Sequence, residues 1–389
     1  MDASLFIGKR IRFKGKIVMT CVAVSFLIMI IAVSVSAGFR HEIRNGISSV
    51  AGDVQLMRPD MNYMEEGTPV GTSPSYLSLI EELPCTESVV PAVYRAGIVK
   101  NGEDIYGVVV KGRPGRLSDS LALSVSVPES FADKAGISVG DRMLTYFVGD
   151  KMQVRQFAVA DIYDSGVDPD GKFLIYADIE DMRRLNGWSE AEASLLEVTL
   201  TPDFKSEGRM KEATSQIGFI MNAYEQDEDD TLIAASAISK YPQIFSWLSL
   251  IDFNVFFILL LMTIVAGFNM ISGLLIMLFE NISTIGLLKS LGMTDMSISK
   301  VFLSSSAVLV LKGMAVGNAL AILFCIVQGT THLLKLNPEN YFVSYVPVHL
   351  DLGAVLIADA AAFVVIMLLL LIPSLFISRV DPAQTVRVR

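Results

Sequence analysis

The sequence holds little that a metal site, a disulfide framework or a nucleotide-hydrolysing enzyme could use. Only three cysteines and three histidines occur among 389 residues, and they stand far apart. Cys/His metal sites and disulfide scaffolds need paired or closely spaced residues, so neither is expected. The patterns G-x-x-x-x-G-K-[ST] and H-E-x-x-H are absent as well. The chain is therefore predicted to be non-catalytic, with no metal and no cofactor of its own.

Charged residues are also scarce. They make up 19% of the chain, whereas 52% is hydrophobic and the mean hydropathy is +0.51. Soluble globular proteins carry about 25% charged residues. Positive residues gather beside the apolar runs rather than in a separate basic patch, which argues against a nucleic-acid partner. The composition predicts a membrane protein that contacts lipid directly.

Four long runs with almost no charge predict four transmembrane helices, in a one-plus-three arrangement. They cover residues 17–37, 254–279, 301–331 and 352–377, with an outer loop at 332–351 and a tail at 378–389. The first run is longer than the roughly 7–15 apolar residues of a signal peptide, which favours an uncleaved anchor although Val35-Ser36-Ala37 resembles a cleavage site. The amino terminus, residues 1–16, contains five basic residues: Lys9, Arg10, Arg12, Lys14 and Lys16. The positive-inside rule then predicts that both termini are cytoplasmic.

Residues 38–253 are predicted to form a large mixed α/β domain outside the membrane. From Arg40 to Asp252 the chain has 34 acidic and 19 basic residues, whereas the remainder has 7 acidic and 12 basic. Turn signals such as Asn101-Gly102 between β-rich stretches predict hairpins. Helical periodicity predicts helices at Glu129–Ala135 and Ile179–Asn186, and a further helix over Thr231–Leu250 that leads into the second span.

The loop between the second and third spans, residues 280–300, contains a short helix-like segment. Ile285, Leu288 and Leu291 recur at helical spacing, and Gly292 stands where a glycine commonly ends a helix. The pattern predicts a short helix with one apolar face. Such a helix could lie on the bilayer surface as a connector or bind a cytoplasmic partner.

Two of the predicted spans contain a charged residue, Lys312 in the third and Asp359 in the fourth. Their depths roughly coincide at about 1.5 Å of rise per residue, and a charge within lipid is costly unless it is paired. We therefore predict an ion pair between Lys312 and Asp359, structural rather than part of a proton relay. Small residues at four-residue intervals predict close helix packing, on each other or on another subunit; they are Gly313, Gly317, Ala321, Ala354, Ala358 and Ala362.

Three motifs on this arrangement of spans resemble the FtsX-like permeases of MacB-type ABC transporters, and among them the lipoprotein-releasing LolC/LolE family. The motifs are GFRHEI at Gly38–Ile43, the loop segment at Glu280 and Ile285–Met293, and DPAQTVR at Asp381–Arg387. The resemblance covers essentially the whole chain. Thr284, Gln384 and Thr385 depart from the family pattern, so polar contacts at these positions are not carried over.

The resemblance implies a coupling helix in the loop, bound in a groove of a separate cytoplasmic ABC ATPase dimer (LolD-like) that would hold ATP and Mg. The implied coupling residues are Glu280, Ile285, Gly286, Leu287, Leu288, Lys289, Leu291 and Gly292. It also implies a second permease, identical or homologous, in the inner membrane of a Gram-negative bacterium, with the α/β domain in the periplasm. ATP hydrolysis by the partner would then extract outer-membrane-directed lipoproteins by mechanotransmission and pass them to a LolA-like periplasmic chaperone.

The resemblance further implies that the cargo's acyl chains are held between the first and second spans. The residues that could face them, unless they serve in packing, are Phe26, Ile30, Val33, Val255, Phe256, Leu259 and Met262. In the LolC branch a hairpin recruits the chaperone, and Tyr146–Gln156 is the corresponding segment here, but it is short and lacks the branch's prolines. The resemblance thus leaves open whether this chain recruits the chaperone, binds the cargo or forms one half of a homodimer. Two alternatives stay open: a MacB-like exporter or FtsX-like cell-division permease, and a non-transporting membrane-anchored assembly or sensor protein.

Overall fold

The structure, a computed structural model, describes residues 16–59, 61, 68–115, 123–147, 149, 152–163, 173–226, 230–337 and 341–374. The chain divides into two compact units. The described part of the helical unit comprises residues 16–41, 248–335 and 345–374. That of the α/β unit comprises the described residues within 42–247, together with 336–337 and 341–344. The predictions for residues 1–15 and for the tail at 378–389, with its Asp381–Arg387 motif, lie outside the described residues.

Helices account for most of the described helical unit, whereas the described α/β unit contains more residues in strands than in helices. The helices are α1 (Lys16–Ala51), α2 (Leu77–Glu81), α3 (Glu129–Ala135), α4 (Ile179–Asn186), α5 (Glu207–Tyr224), α6 (Ala237–Lys240), α7 (Pro242–Glu280), α8 (Ile282–Ser290), α9 (Asp295–Thr331), α10 (Leu352–Leu369) and α11 (Leu371–Ser374). The strands are β1 (Val54–Met57), β2 (Val70–Gly71), β3 (Thr86–Asn101), β4 (Asp104–Arg113), β5 (Ser124–Pro128), β6 (Arg142–Phe147), β7 (Gln153–Tyr163), β8 (Phe173–Asp178), β9 (Glu192–Ala193), β10 (Leu195–Leu200) and β11 (Ile233–Ser236).

Within the described part of the chain, four helical segments are long and apolar enough to cross a membrane: α1, α7, α9 and α10 with α11. Helix α1 has 36 residues, about 54 Å at 1.5 Å per residue, which exceeds the roughly 30 Å hydrocarbon layer. Its apolar run ends near Ala37, but the helix continues through a polar stretch to Ala51. Helix α7 likewise begins before its apolar run, at Pro242.

Apolar side chains from α1, α7, α9 and α10 form the core of the helical unit. One cluster includes Phe26, Met270, Phe302 and Ile366, all at most 1% exposed. A second, smaller cluster contains Ile30, Val33, Ala321 and Val355. Many other apolar side chains of these helices are exposed, as expected for helices whose outer faces meet lipid.

The α/β unit is built on a nine-stranded sheet in which six strands close on themselves. The order is β11-β1-β10-β3-β4-β8-β5-β7-β6, and β6 also pairs with the second half of the long strand β3. The side chains inside this ring, among them Val110, Phe147 and Phe157, pack with Phe131 of α3 and Met182 of α4. Strands β10, β1 and β11 extend the sheet from the first half of β3.

Local signals predicted several elements of this unit correctly. Helices α3 and α4 have the predicted bounds, and each is followed by a glycine with positive φ, Gly136 or Gly187. Asn101 pairs with Asp104 across the predicted hairpin turn, and Gly102 there has a φ of 66°. Tyr146–Gln156 contains the end of β6 and the start of β7, which pair as a hairpin; residues 148, 150 and 151 between them lie outside the described residues.

The prediction of one helix over Thr231–Leu250 is wrong. Residues Ile233–Ser236 form strand β11, which pairs antiparallel with β1 along its whole length. A short helix, α6, and Tyr241 then separate this strand from α7. The segment IAAS has no strong strand propensity, so its conformation depends on the partner strand rather than on the local sequence.

Candidate functional site

The loop between the second and third long helices folds into helix α8, separated from α7 by Asn281 alone. The Asn281 side chain donates through Nδ2 to the Met277 carbonyl oxygen at 2.8 Å. The Asn281 carbonyl oxygen in turn accepts from the backbone N–H of Ile285 at 3.0 Å. Asn281 thus joins the end of one helix to the first turn of the next.

Helix α8 ends at a glycine, as the sequence predicts. Gly292 has a φ of 87°, in the left-handed region that glycine adopts without strain. Its N–H donates to the Lys289 carbonyl and the N–H of Met293 donates to the Leu288 carbonyl, both at 3.0 Å. Leu288 and Met293 also pack against the same apolar cluster. This arrangement is a Schellman motif with its accompanying hydrophobic contact.

The structure places the predicted apolar residues of α8 on two sides of the helix, one buried and one exposed. Ile285 is buried in the core of the helical unit, with Leu288 partly buried beside it. Leu287 and Leu291, four residues apart, are 55% and 76% exposed. The periodicity identified a helix with apolar residues but not which of them the rest of the chain covers. Of the other predicted coupling residues, Gly286 is buried and Glu280 is exposed.

Exposed apolar side chains continue from α8 into the first turn of α9. Lys289 Nζ forms a salt bridge with Asp295 Oδ1 at 2.9 Å, and the Thr294 side chain caps α9 by accepting from the Ser297 N–H. Met296, in the first turn of α9, is 73% exposed. We refer to Leu287, Leu291 and Met296 as the loop surface. These side chains suit the docking of another protein rather than chemistry, because none is nucleophilic or titratable.

The candidates for cargo contact are not collected on one accessible surface. Phe26, Ile30 and Val33 of α1 are buried among helices of the same chain. In this conformation they cannot contact a cargo, because α9 and α10 cover them. Of the α7 candidates, Phe256 is exposed, whereas Val255, Leu259 and Met262 are partly buried.

The small residues of α9 pack mainly against α1. A Cβ atom on Gly313 would lie 2.8 Å from Val22 Cγ1, and one on Gly317 would overlap the Ala23 carbonyl oxygen. Ala321 is buried with Ile30 of α1. In α10, Ala362 is buried, and Ala354 and Ala358 are partly buried against the smaller cluster.

The ion pair predicted between Lys312 and Asp359 is not formed, although both residues are described. Asp359 is buried and its Oδ2 accepts from Asn318 Nδ2 at 2.6 Å, whereas Lys312 is exposed. The rise per residue estimates how deep a residue lies along its helix, but not the direction in which it faces around the helix axis. Asn318 lies six residues beyond Lys312, about 9 Å further along and about 120° away around α9, and it is this face that meets α10.

A serine pattern that resembles a hydrolase motif occurs in the α/β unit. Gly136–Gly140, with the sequence GISVG, matches the form G-x-S-x-G. The segment follows the end of α3, and the Ser138 N–H donates to Asp141 Oδ2 at 2.8 Å. A nucleophile elbow requires a strand before the serine and a helix after it. Here a helix precedes and β6 follows, so the pattern does not indicate a nucleophile.

Comparison with known proteins identifies the family of the membrane part. Residues 256–382 match the family described as FtsX-like permease, C-terminal. The lipoprotein-releasing system transmembrane protein LolC of Neisseria meningitidis is 22% identical over 94% of this chain and 92% of its own length. LolE of Haemophilus influenzae is 22% identical over 93% of this chain and 91% of its own.

Solved structures similar to this chain include two extracytoplasmic domains. The periplasmic region of MacB from Actinobacillus actinomycetemcomitans is 14% identical, with a TM-score of 0.29, and the match covers 45% of this chain and 84% of that one. The extracellular domain of the noncanonic ABC-type transporter YknZ from Gram-positive bacteria is 11% identical, with a TM-score of 0.29, over 47% and 98%. By sequence, residues 256–382 match the FtsX-like permease family, and the chain is similar to the LolC and LolE transmembrane proteins over more than nine-tenths of its length.

Proposed function

We propose that this chain is the permease subunit of an ABC transporter that releases lipoproteins from the inner membrane. A separate cytoplasmic ATPase dimer binds ATP and Mg and supplies the energy. A second permease, identical or homologous, completes the membrane part. The lipoprotein, directed to the outer membrane, passes to a periplasmic chaperone, and both termini of this chain lie in the cytoplasm.

The observation that carries the proposal is the similarity to LolC and LolE across nearly the whole chain, which extends well beyond the FtsX-like domain at residues 256–382. The relatives are named as transmembrane proteins of lipoprotein-releasing systems. A match over this length includes the large α/β unit as well as the helical unit. It therefore favours a lipoprotein permease over a protein that shares only the membrane domain.

The loop surface supports contact with an ATPase. Leu287, Leu291 and Met296 are large apolar side chains that are 55%, 76% and 73% exposed. Burying one such side chain in a partner contributes about 1.5–3 kcal/mol. Helix α8 is anchored by Ile285 on its opposite side, so a force applied to the loop surface reaches the helical core.

A tagged chain purified from its native membrane in mild detergent tests the proposal. We expect a P-loop ATPase and triacylated lipoproteins among the retained proteins. Leu291→Asp places a charge in the proposed contact and should reduce ATPase retention at least about tenfold, the effect of losing an interface hot spot. Mass spectrometry of the retained proteins measures both.

Leu333→Asp is the matched control. Leu333 is 75% exposed, against 76% for Leu291, and lies just past the far end of α9. This variant should retain the ATPase in full. An ATPase without lipoproteins would indicate an exporter or a division-type permease. If no ATPase is retained, the chain is a non-transporting assembly or sensor protein and the proposal is wrong.

A further inference from the structure

In the α/β unit, the last turn of α1 meets a buried charged cluster that we call the helix-end cluster, consisting of Tyr94, Lys111 and Glu197. Lys111 is 0% and Glu197 2% exposed, and Lys111 Nζ lies 2.8 Å from Glu197 Oε2. Lys111 Nζ also donates to the carbonyl oxygen of Val50 at 2.6 Å. The Tyr94 hydroxyl is 2.5 Å from Glu197 Oε1 and 3.2 Å from the same Val50 oxygen.

The chemistry of a helix end explains why a cation is placed there. The last four carbonyl groups of an α-helix have no intrahelical partner and carry partial negative charge. Val50 is one of them. The Lys111 ammonium satisfies this oxygen, and the rings of Tyr94 and Tyr176 lie 5.3 and 5.8 Å from Nζ. Glu197 compensates an ammonium that burial would otherwise make costly.

The three cluster residues come from three neighbouring strands. Glu197 lies on β10, Tyr94 on β3 and Lys111 on β4, and Tyr94 and Lys111 are cross-strand partners. A displacement of the Val50 carbonyl would therefore break contacts with the middle of the sheet rather than with one mobile side chain.

A second set of contacts joins the residues after α1 to those before α7. Gln55 Nε2 donates to the Ala51 carbonyl oxygen at 2.7 Å, and Gln55 Oε1 accepts from Lys240 Nζ at 2.8 Å. The Ala237 N–H donates to the Asp53 carbonyl oxygen at 2.9 Å. Lys240 and Ala237 belong to α6, directly before α7.

We propose that Lys111 is a positioning residue, with Tyr94 and Glu197 as its supports, that fastens the last turn of α1 to the sheet. The inference extends the proposed function, in which movement of the long helices must reach the α/β unit. Lys111 is then the contact through which a displacement of α1 acts on β3, β4 and β10. Its role is to transmit position, beyond any contribution to stability.

The test uses the full-length chain in lipid nanodiscs, with the double variant Lys111→Met/Glu197→Gln. Lys111→Met alone would leave the Glu197 charge buried without its cation, so the chain could unfold for that reason. The double variant removes both charges and keeps a polar partner for Tyr94. Lys211→Met/Glu207→Gln is the matched control, because Lys211 Nζ and Glu207 Oε1 are a similar 2.9 Å apart but exposed.

Hydrogen exchange is compared between residues 46–57 and strands β4 and β8. In the double variant we expect exchange in 46–57 to rise at least about tenfold, while β4 and β8 stay within about twofold of the unmodified chain. The control pair should change neither region. An unchanged rate in 46–57, or an equal rise in all regions, overturns the inference. If the double variant does not fold, Tyr94→Phe, which removes only the hydroxyl, is judged by the same comparison.

Lipoprotein release by the complete transporter separates this inference from the proposed function. We expect the double variant to bind the ATPase normally and to release lipoprotein more slowly, with the control pair unaffected. Normal release by the double variant would contradict a transmitting role for Lys111. If the unmodified transporter releases no lipoprotein, the proposed function fails, and hydrogen exchange alone decides whether Lys111 fastens α1.

Discussion

Asn318 and Asp359 form a polar contact between α9 and α10 within an apolar environment. Asn318 Nδ2 donates to Asp359 Oδ2, but Asn318 Oδ1 and Asp359 Oδ1 have no hydrogen-bond partner among the described residues. A buried polar group that loses its partner keeps its full desolvation cost. Asn318 therefore contributes to stability by donating a hydrogen bond to the buried Asp359.

We expect Asn318→Leu to lower the free energy of unfolding by about 1–3 kcal/mol, because Asp359 loses its donor. Lys312→Met should leave it nearly unchanged, since Lys312 is exposed and does not contact Asp359. Thermal unfolding of each purified variant in the same nanodiscs measures the difference.

The double variant Asn318→Leu/Asp359→Leu is the control for this contact. It removes both polar groups and should recover most of the stability lost in Asn318→Leu. A larger loss in Lys312→Met than in Asn318→Leu would instead support the ion pair that the sequence predicts.

Helices α1 and α9 approach closely where α9 carries glycine. Gly313 and Gly317 are four residues apart and face Met19, Val22 and Ala23 of α1. Small residues at this spacing allow backbone-to-backbone contact between helices in lipid. The close approach holds α1 against α9 along the same stretch that buries Phe26.

Gly317→Ala should destabilise the chain by about 1–3 kcal/mol, because the added methyl group would overlap the Ala23 carbonyl oxygen. Gly329→Ala, on the same helix with no atom within 4 Å of the new Cβ, should be neutral or stabilising by up to about 1 kcal/mol. Thermal unfolding compares the two. Equal effects would show that α9 does not depend on this contact.

How far the sequence predicts each element depends on whether its signal is local. Glycine at a helix end and Asn-Gly between strands act on their immediate neighbours, and α3, α4, α8 and the β3–β4 hairpin were predicted from them. Strand β11 was not, because its conformation is imposed by β1. The apolar residues of α8 were identified, but their division into Ile285 inside and Leu291 outside depends on the neighbouring helices.

Across the whole molecule, helices α1 and α7 are linked by polar contacts in the helical unit as well. Ser36 Oγ of α1 donates to Asp252 Oδ1 of α7 at 2.7 Å, and Arg40 Nε lies 3.4 Å from the same oxygen. If the transporter works by moving these helices against each other, this contact must loosen during each cycle.

A cross-link between positions 36 and 252 tests this requirement. The variant Ser36→Cys/Asp252→Cys is made with the free cysteines Cys21, Cys85 and Cys325 changed to alanine, and is joined by a short bis-methanethiosulfonate reagent. We expect the cross-linked transporter to bind its ATPase but to release lipoprotein at less than about a tenth of the uncross-linked rate. Reduction of the cross-link should restore release. Full release by the cross-linked form would show that α1 and α7 move together.

The place of β1 in the sheet has a consequence for how the chain is assembled during synthesis. Strand β1 follows α1 directly and is among the first strands made, yet both of its neighbours, β10 and β11, come after residue 194. Contacts between residues distant in sequence form slowly, because a long loop must close first. Both edges of β1 thus remain without their partner strands until almost the whole α/β unit has left the ribosome. Interrupting synthesis within this unit would leave an open strand that invites pairing with other chains.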